Sequence, residues 1–374
     1  MRIEPFLVEQ WMNEWEVGAP FNIAETCVDS LSLDELFELT GTDRDSFLAK
    51  LTSTRMTYGD IEGLPAYKDG IASLFRTVTP DDIVTTHGAT GANHHVFYSL
   101  VDPGDKVVSI MPTYQQLYSI PAAFGAKVDL IHLKEENGYL PDIDELKALV
   151  TPDTKVITLN NPNNPTGALM TKEQLEAIVE VAREADAYLF CDETYRHLNQ
   201  EDEWAESVVD LYEKGISTGS MSKVFSLVGV RSGWIVSRDK DFIKSCWEHR
   251  DYNLISGGII DESVGALALA NKEPILARNL AIVRDNLKVL DDFVNSQPRL
   301  HYVKPKAGTT ALVYYEADID SYDFCIDMYK KTGAFVTPGD CFEQPKSMRI
   351  GYAYGRQVLV DGLKALGDYL AMLD

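Results

Sequence analysis

The chain reads as an α/β protein: a large domain built on a mainly parallel sheet covered by helices, with a smaller α+β domain beside it. Three observations predict this. Between about residues 80 and 240, short β-branched runs alternate with amphipathic stretches of helical length, the pattern of repeated βαβ units. These runs end in polar or glycine-rich clusters, as strands do where an open parallel sheet holds a ligand beyond its carboxyl ends. The last hundred residues change character, with longer helical stretches bracketing shorter strands. A chain of 374 residues is also longer than one compact core usually holds. The pattern changes set a large domain at residues 41–274. A smaller one takes 275–374 together with 1–40, whose helix-like text precedes the sheet pattern.

Taken in order, Ile83–Thr86 is the first strand, and a helical stretch runs from it through Leu100. Asp102-Pro103-Gly104-Asp105 turns the chain into Lys106–Ile110. Lys155–Leu159 is a third strand. The following stretch, Lys172 to Ala185, places Leu175, Ile178, Val179 and Ala182 at helix spacing. Tyr188–Cys191, Ile216–Thr218 and Trp234–Val236 read as further strands. In the smaller domain, helices are expected near Ile275–Val294 and Tyr322–Thr332, and strands at Ala311–Tyr315, Phe335–Thr337 and Met348–Ala353.

Composition narrows the function. Hydrophobic residues make up 45% and charged residues 25%, an ordinary globular balance. The net charge of −24 repels phosphate backbones and anionic lipid heads, so nucleic acid and membrane surfaces are poor partners. No apolar run approaches the ~18 residues that cross a bilayer, and the start lacks the apolar core of an export signal. Five scattered cysteines, never spaced as CxxC, argue against a disulfide framework and a zinc site. The adjacent His94 and His95 diverge on a helix, so no metal is expected. The expectation is a reduced, cytoplasmic protein.

The chemistry collects at the strand ends. Gly88-Ala89-Thr90-Gly91 follows the first strand, and Pro112-Thr113-Tyr114 follows the second. Asn160-Asn161-Pro162-Asn163-Asn164-Pro165-Thr166-Gly167 follows the third, Asp192-Glu193-Thr194-Tyr195 the fourth, and Ser220-Met221-Ser222-Lys223 the fifth. Each has an ordinary explanation when taken alone. The first could be a strand-to-helix turn with Thr90 as cap, the third a good turn, Asp192 a helix cap and Lys223 a solvated lysine. The first is not a GxGxxG fingerprint, and no Walker motif occurs, so nucleotide binding is unsupported. Their joint occurrence in this order points to one site.

In that order, and from about Tyr58 to Arg349, the residues resemble the fold-type I pyridoxal-5′-phosphate (PLP) enzymes, in the class I and II aminotransferase branch. The specific core is NNPNNPTG, then DETY, then SMSKVFSLVGVRSGW. The resemblance implies a seven-stranded sheet in the large, PLP-binding domain. It also implies that Lys223 carries PLP as a Schiff base and shuttles the Cα proton. Asp192 would face the pyridine nitrogen, and Tyr195 and Asn164 the phenolic oxygen, with Tyr114 stacked on the ring. Ala89, Thr90, Ser220, Ser222 and Arg231 would hold the phosphate. Tyr58 would reach the phosphate of a neighbouring subunit, which makes a homodimer the expected unit. Arg349 would clamp a substrate α-carboxylate, because a planar fork suits that group better than lysine does.

The expected reaction is transamination between an amino acid and a keto acid. Two departures leave a rival open. Many relatives carry a Gly-x-Pro segment near the N-terminus, where this chain reads Pro20-Phe21-Asn22-Ile23-Ala24-Glu25-Thr26-Cys27. Glu25 could pair with a basic substrate side chain or be a solvated surface acid. The C-terminal text around Arg250-Asp251-Tyr252, Gly308–Ala311 and Thr337–Gly351 is similar to that of the capreomycidine synthase subgroup, PLP enzymes that dehydrate and cyclise a hydroxyarginine. A lyase or cyclase of that type uses the same machinery, since it too begins by removing the Cα proton.

Overall fold

The computed structural model describes residues 2–202 and 204–373. A seven-stranded sheet lies at its centre, in the spatial order Ile83–Thr86, Gly233–Ser237, Gly215–Ser220, Tyr188–Asp192, Thr154–Asn160, Lys106–Met111 and Lys127–His132. Gly233–Ser237 pairs antiparallel with both of its neighbours, and the remaining pairs are parallel. The edge strand Lys127–His132 is one the sequence pattern does not show. It carries charge at Lys127 and Asp129 and is only partly buried, as an edge allows.

Successive residues of the inner strands feed two separate cores, the period of two that a sheet covered on both faces requires. Val107, Val156, Phe190 and Ile235 point to one, packed under the helices Gly88–Leu100 and Lys240–Arg250. Val108, Ile157, Leu189 and Val236 point to the other, which takes in Leu175, Ile178, Val179 and Ala182 of the helix Lys172–Glu184.

That second core runs on into a four-stranded antiparallel sheet in the order Thr337–Pro338, Ser347–Gly351, Thr310–Tyr315 and Leu300–Tyr302. The helices Lys272–Ser296, Ser321–Thr332 and Arg356–Ala371 cover it. The single strand expected at Phe335–Thr337 is two. Ala334–Phe335 pairs parallel with Phe21–Asn22, while Thr337–Pro338 pairs with Arg349 and Met348 in the four-stranded sheet. The two short pairings reach different sheets, so no continuous run of alternation marks them. Among the described residues no helix is long and apolar enough to cross a membrane.

Candidate active site

The strand order brings the carboxyl ends of Ile83–Thr86, Gly215–Ser220, Tyr188–Asp192 and Thr154–Asn160 to one edge of the sheet. Gly233–Ser237 runs the other way, so its amino end lies at this edge, with Gly233 level with Thr86 on one side and Ser220 on the other. That register places Arg231, two residues earlier, beside the start of the helix Gly88–Leu100. Gly88 has φ +66°, and a Cβ there would come within 2.9 Å of Arg231 Nη2, so the helix start lies directly under the guanidinium. The helix begins at Gly88 with His87 in the cap position, which puts Thr90 in the first turn and not at the cap.

Above this edge is a cavity of about 320 Å³. Ala89, Thr90, Ser220, Ser222 and Arg231 line it, as do Tyr114, Asn164, Asp192, Tyr195, Lys223 and Arg349. Every residue predicted for the site therefore lines the cavity except Tyr58, which is 69% exposed elsewhere on the surface.

Asp192 ends its strand 4% exposed. Its carboxylate accepts hydrogen bonds from Asn93 Nδ2 at 2.7 Å and from the Thr194 N–H at 3.0 Å. Burial pushes its pKa up, and those two donors offset only part of the rise. Asn93 in turn accepts from Thr218 Oγ1 at 2.7 Å, which ties the helix to the neighbouring strand.

Lys223 Nζ donates to Thr26 Oγ1 at 2.7 Å, lies 3.1 Å from Cys27 Sγ and sits 4.0 Å from Glu25 Oε1. Burial alone would lower its pKa, but the neighbouring Tyr195, Cys27 and Glu25 outweigh burial and shift it upward. Burial pushes the Cys27 thiol up to about 11, so it stays protonated near neutral pH. Burial would also raise Glu25, yet Lys223 and the Thr26 and Cys27 N–H donors hold it below the usual range. Glu25 is thus a cavity carboxylate facing Lys223, which overturns its reading as a solvated surface acid. The reason lies in the chain path. The strand Phe21–Asn22 leads residues 23–25 against Gly351, whose N–H donates to Ile23 O at 2.8 Å and whose Cβ, were there one, would meet Glu25 O at 1.9 Å.

Arg349 is 3% exposed. Its Nη1 donates to Asn164 Oδ1 at 3.2 Å and its Nη2 to Thr337 Oγ1 at 3.1 Å, while its Nε has no hydrogen-bond partner. Arg231 Nη1 donates to Val228 O at 2.8 Å. Among the described residues neither guanidinium has a carboxylate within ion-pair distance, so the cavity holds two cations with room for anionic groups.

Several residues that line or support the site escaped the sequence reading. Asn93 had a signal: it stands four residues after Ala89, on the same face of one helix. Thr26 and Cys27 adjoin Glu25 and had none of their own. The helix Leu7–Trp15 brings Val8, Glu9 and Met12 to the cavity, with Glu16 next to it. Tyr114 OH donates to Glu9 Oε1 at 3.0 Å, and the tyrosine ring lies 4.9 Å from that of Phe6. Only the tertiary placement of that helix reveals these contacts.

The chain is similar to capreomycidine synthase from Streptomyces vinaceus, at 29% identity over 97% of this chain and 93% of that protein. It is similar also to the arginine–pyruvate transaminase of Pseudomonas aeruginosa, at 32% identity over 86% of this chain and 83% of that one. A crystal structure of a PLP-dependent aminotransferase from Streptococcus suis superposes with a TM-score of 0.97 at 42% identity, covering 100% of this chain and 99% of that one. The model of the family "Aminotransferase class I and II" matches residues 36–363. The chain belongs to that family and is a PLP-dependent transferase.

Proposed function

We propose that the protein is an aminotransferase that moves an amino group from an amino acid to a keto acid, with its cofactor held on Lys223. One observation carries the reading: Lys223, the buried Asp192 and two guanidinium groups without carboxylate partners surround one cavity. PLP fits these residues. Its phosphate matches the helix start at Gly88, the Ser220 and Ser222 hydroxyls and Arg231. Its ring nitrogen matches Asp192, the carboxylate that Asn93 and Thr194 hold in place. When bound, PLP supplies an electron-withdrawing ring that makes the Cα proton of an attached amino acid acidic.

The chain's own residues would do the rest. Asp192 holds a proton at the ring nitrogen. Tyr195 and Asn164 would hold the phenolic oxygen, and Tyr114 would cover the ring. Lys223, once its amine is free, takes the proton from Cα and returns it elsewhere, with Thr26 and Cys27 fixing where that amine rests. Arg349 binds the α-carboxylate with donors that now meet only neutral acceptors. Tyr58 acts on the phosphate of a second subunit in a homodimer. The division into a large domain at 41–274 and a small one at 1–40 with 275–374 belongs to the same proposal. The pairing of Phe21–Asn22 with Ala334–Phe335 supports it.

A second reading, a lyase or cyclase, has one observation in its favour: the likeness to capreomycidine synthase extends over 97% of the chain. A single-turnover spectrum separates the two. The PLP-loaded protein is mixed with a panel of amino acids, with no keto acid present. Conversion to pyridoxamine phosphate with an equal amount of keto acid is the expected result. Return of PLP unchanged, with water, ammonia or a cyclic product lost from the amino acid, would establish the second reading. Borohydride should label Lys223 in the loaded protein; labelling of another lysine rejects its role.

A further inference from the structure

We propose that the side-chain end of this cavity is built for an amino acid bearing a positive charge, a guanidinium or a primary ammonium, held by Glu9, Glu16 and Glu25. The inference rests on the amino acid reading above and specifies its substrate class.

The three carboxylates come from separate parts of the N-terminal segment and line one cavity. Each is fixed on one oxygen by the protein. Glu9 Oε1 accepts from Tyr114 OH at 3.0 Å, and Glu16 Oε1 accepts from Asn22 Nδ2 at 3.1 Å. Glu25 Oε1 accepts from the Thr26 and Cys27 N–H groups, both at 2.7 Å. Their orientation is therefore set before any ligand arrives, so binding needs little reorganisation. Their proximity is unfavourable by itself. Burial raises the pKa of Glu16, and the Glu25 and Glu9 charges raise it further.

The cations of the cavity provide the independent observation. They are Lys223, Arg231 and Arg349. Lys223 and Arg231 are committed to the cofactor. Arg349, nine-tenths buried and more, has an Nε without a partner and, among the described residues, no carboxylate within ion-pair distance, the charge of Glu25 reaching it only from farther off, which calls for an anionic group on the ligand. An amino acid supplies that group as its α-carboxylate. Among the described residues no further cation lines the cavity, so a second carboxylate on the side chain would meet three like charges. An apolar side chain would strip water from those carboxylates and give nothing back. An amino acid with a cationic side chain satisfies both sets of charges at once, Arg349 through its α-carboxylate and the glutamates through its side chain.

Binding calorimetry on the PLP-loaded protein tests this with α-methyl amino acids, which lack the Cα proton and so report affinity without turnover. α-Methylarginine or α-methyllysine should bind at least tenfold tighter than α-methylnorleucine and α-methylaspartate. Glu16→Gln and, separately, Glu9→Gln keep the acceptor oxygen for Asn22 or Tyr114, and each should reduce that advantage at least threefold. Equal binding of all four probes, or tightest binding of α-methylaspartate, overturns the inference. So does an advantage that both variants leave intact. If an uncharged or acidic amino acid proves the best donor in the single-turnover experiment, the aminotransferase reading stands and this inference alone falls. If no amino acid binds or reacts, both fall.

Discussion

Arg349 is a positive charge whose hydrogen-bond acceptors are all neutral, and burial lowers its pKa, an effect that the charge of Glu25 and other neighbours offsets only in part. A group in that state is costly to keep unless a ligand anion completes it. Replacing it should therefore be felt at substrate binding and not at cofactor binding. Arg349→Ala is expected to raise KM for the amino acid about a hundredfold, since losing a buried charge-assisted contact costs about 2–5 kcal/mol. The PLP absorbance of the variant should persist. Steady-state kinetics with an unchanged KM would remove the carboxylate role. A second residue speaks to stability. His95 is buried with Nε2 2.8 Å from Cys246 O, and burial lowers its pKa to about 4. Because the folded value lies below the free histidine value near 6.5, the unfolded chain takes up this proton first as pH falls. The stability it contributes is complete above pH 6.5 and is lost as pH falls to about 4, amounting to about 3 kcal/mol by linkage. Urea midpoints at pH 7 and pH 4.5 should therefore separate less in His95→Gln than in the parent. Equal separation would reject the assignment.

At the scale of elements, the helix Lys172–Glu184 shows how local signals become structure. Thr171 Oγ1 accepts from the Gln174 N–H at 3.3 Å, and Gln174 Oε1 accepts from the Thr171 N–H at 2.9 Å, a reciprocal cap that fixes where the helix starts. Thr171→Ala should cost about 1 kcal/mol in urea unfolding while kcat/KM is unaffected, because the cap lies away from the cavity lining. A changed kcat/KM with unchanged stability would contradict that separation. The same element explains what could be read in advance. Strong apolar periodicity made this helix and the inner strands legible, and the clusters after Thr86, Asn160, Asp192 and Ser220 marked the sheet edge on which the cavity lies. Elements too short to carry a period were missed or merged, Phe21–Asn22 being unexpected and Ala334–Phe335 and Thr337–Pro338 being read as one strand, since a two-residue strand is specified by its partners. Nor did the helix Leu7–Trp15 show its destination. Its position depends on contacts such as Trp11 Nε1 donating to Val336 O at 2.9 Å, 325 residues away in sequence. Glu9 and Glu16 were invisible as site residues for that reason.

For the molecule as a whole, the unplaced residue is Tyr58, which does not line the site cavity of its own chain. It stands among exposed apolar neighbours, Met56 and Ile61 on its own segment and Tyr252, Ile255 and Ile260 on another. The two segments adjoin, since a Cβ on Gly59 would lie 3.2 Å from Ile259 Cγ1 and 3.5 Å from Gly257 O. Exposed apolar side chains on two adjoining segments suit a two-fold interface in which the same surface serves both copies. In the proposed homodimer a tyrosine here would act across the interface, on the site of the second subunit. Sedimentation equilibrium should give twice the chain mass. Tyr58→Phe removes one hydroxyl and keeps the ring, so the dimer should survive while one hydrogen bond to a charged phosphate is lost. Such a bond is worth about 1.5–3 kcal/mol, so the affinity for PLP should fall roughly tenfold or more. A monomer in sedimentation would reject the composite site outright. A dimer whose PLP affinity is untouched by Tyr58→Phe would keep the interface and assign the tyrosine to packing alone.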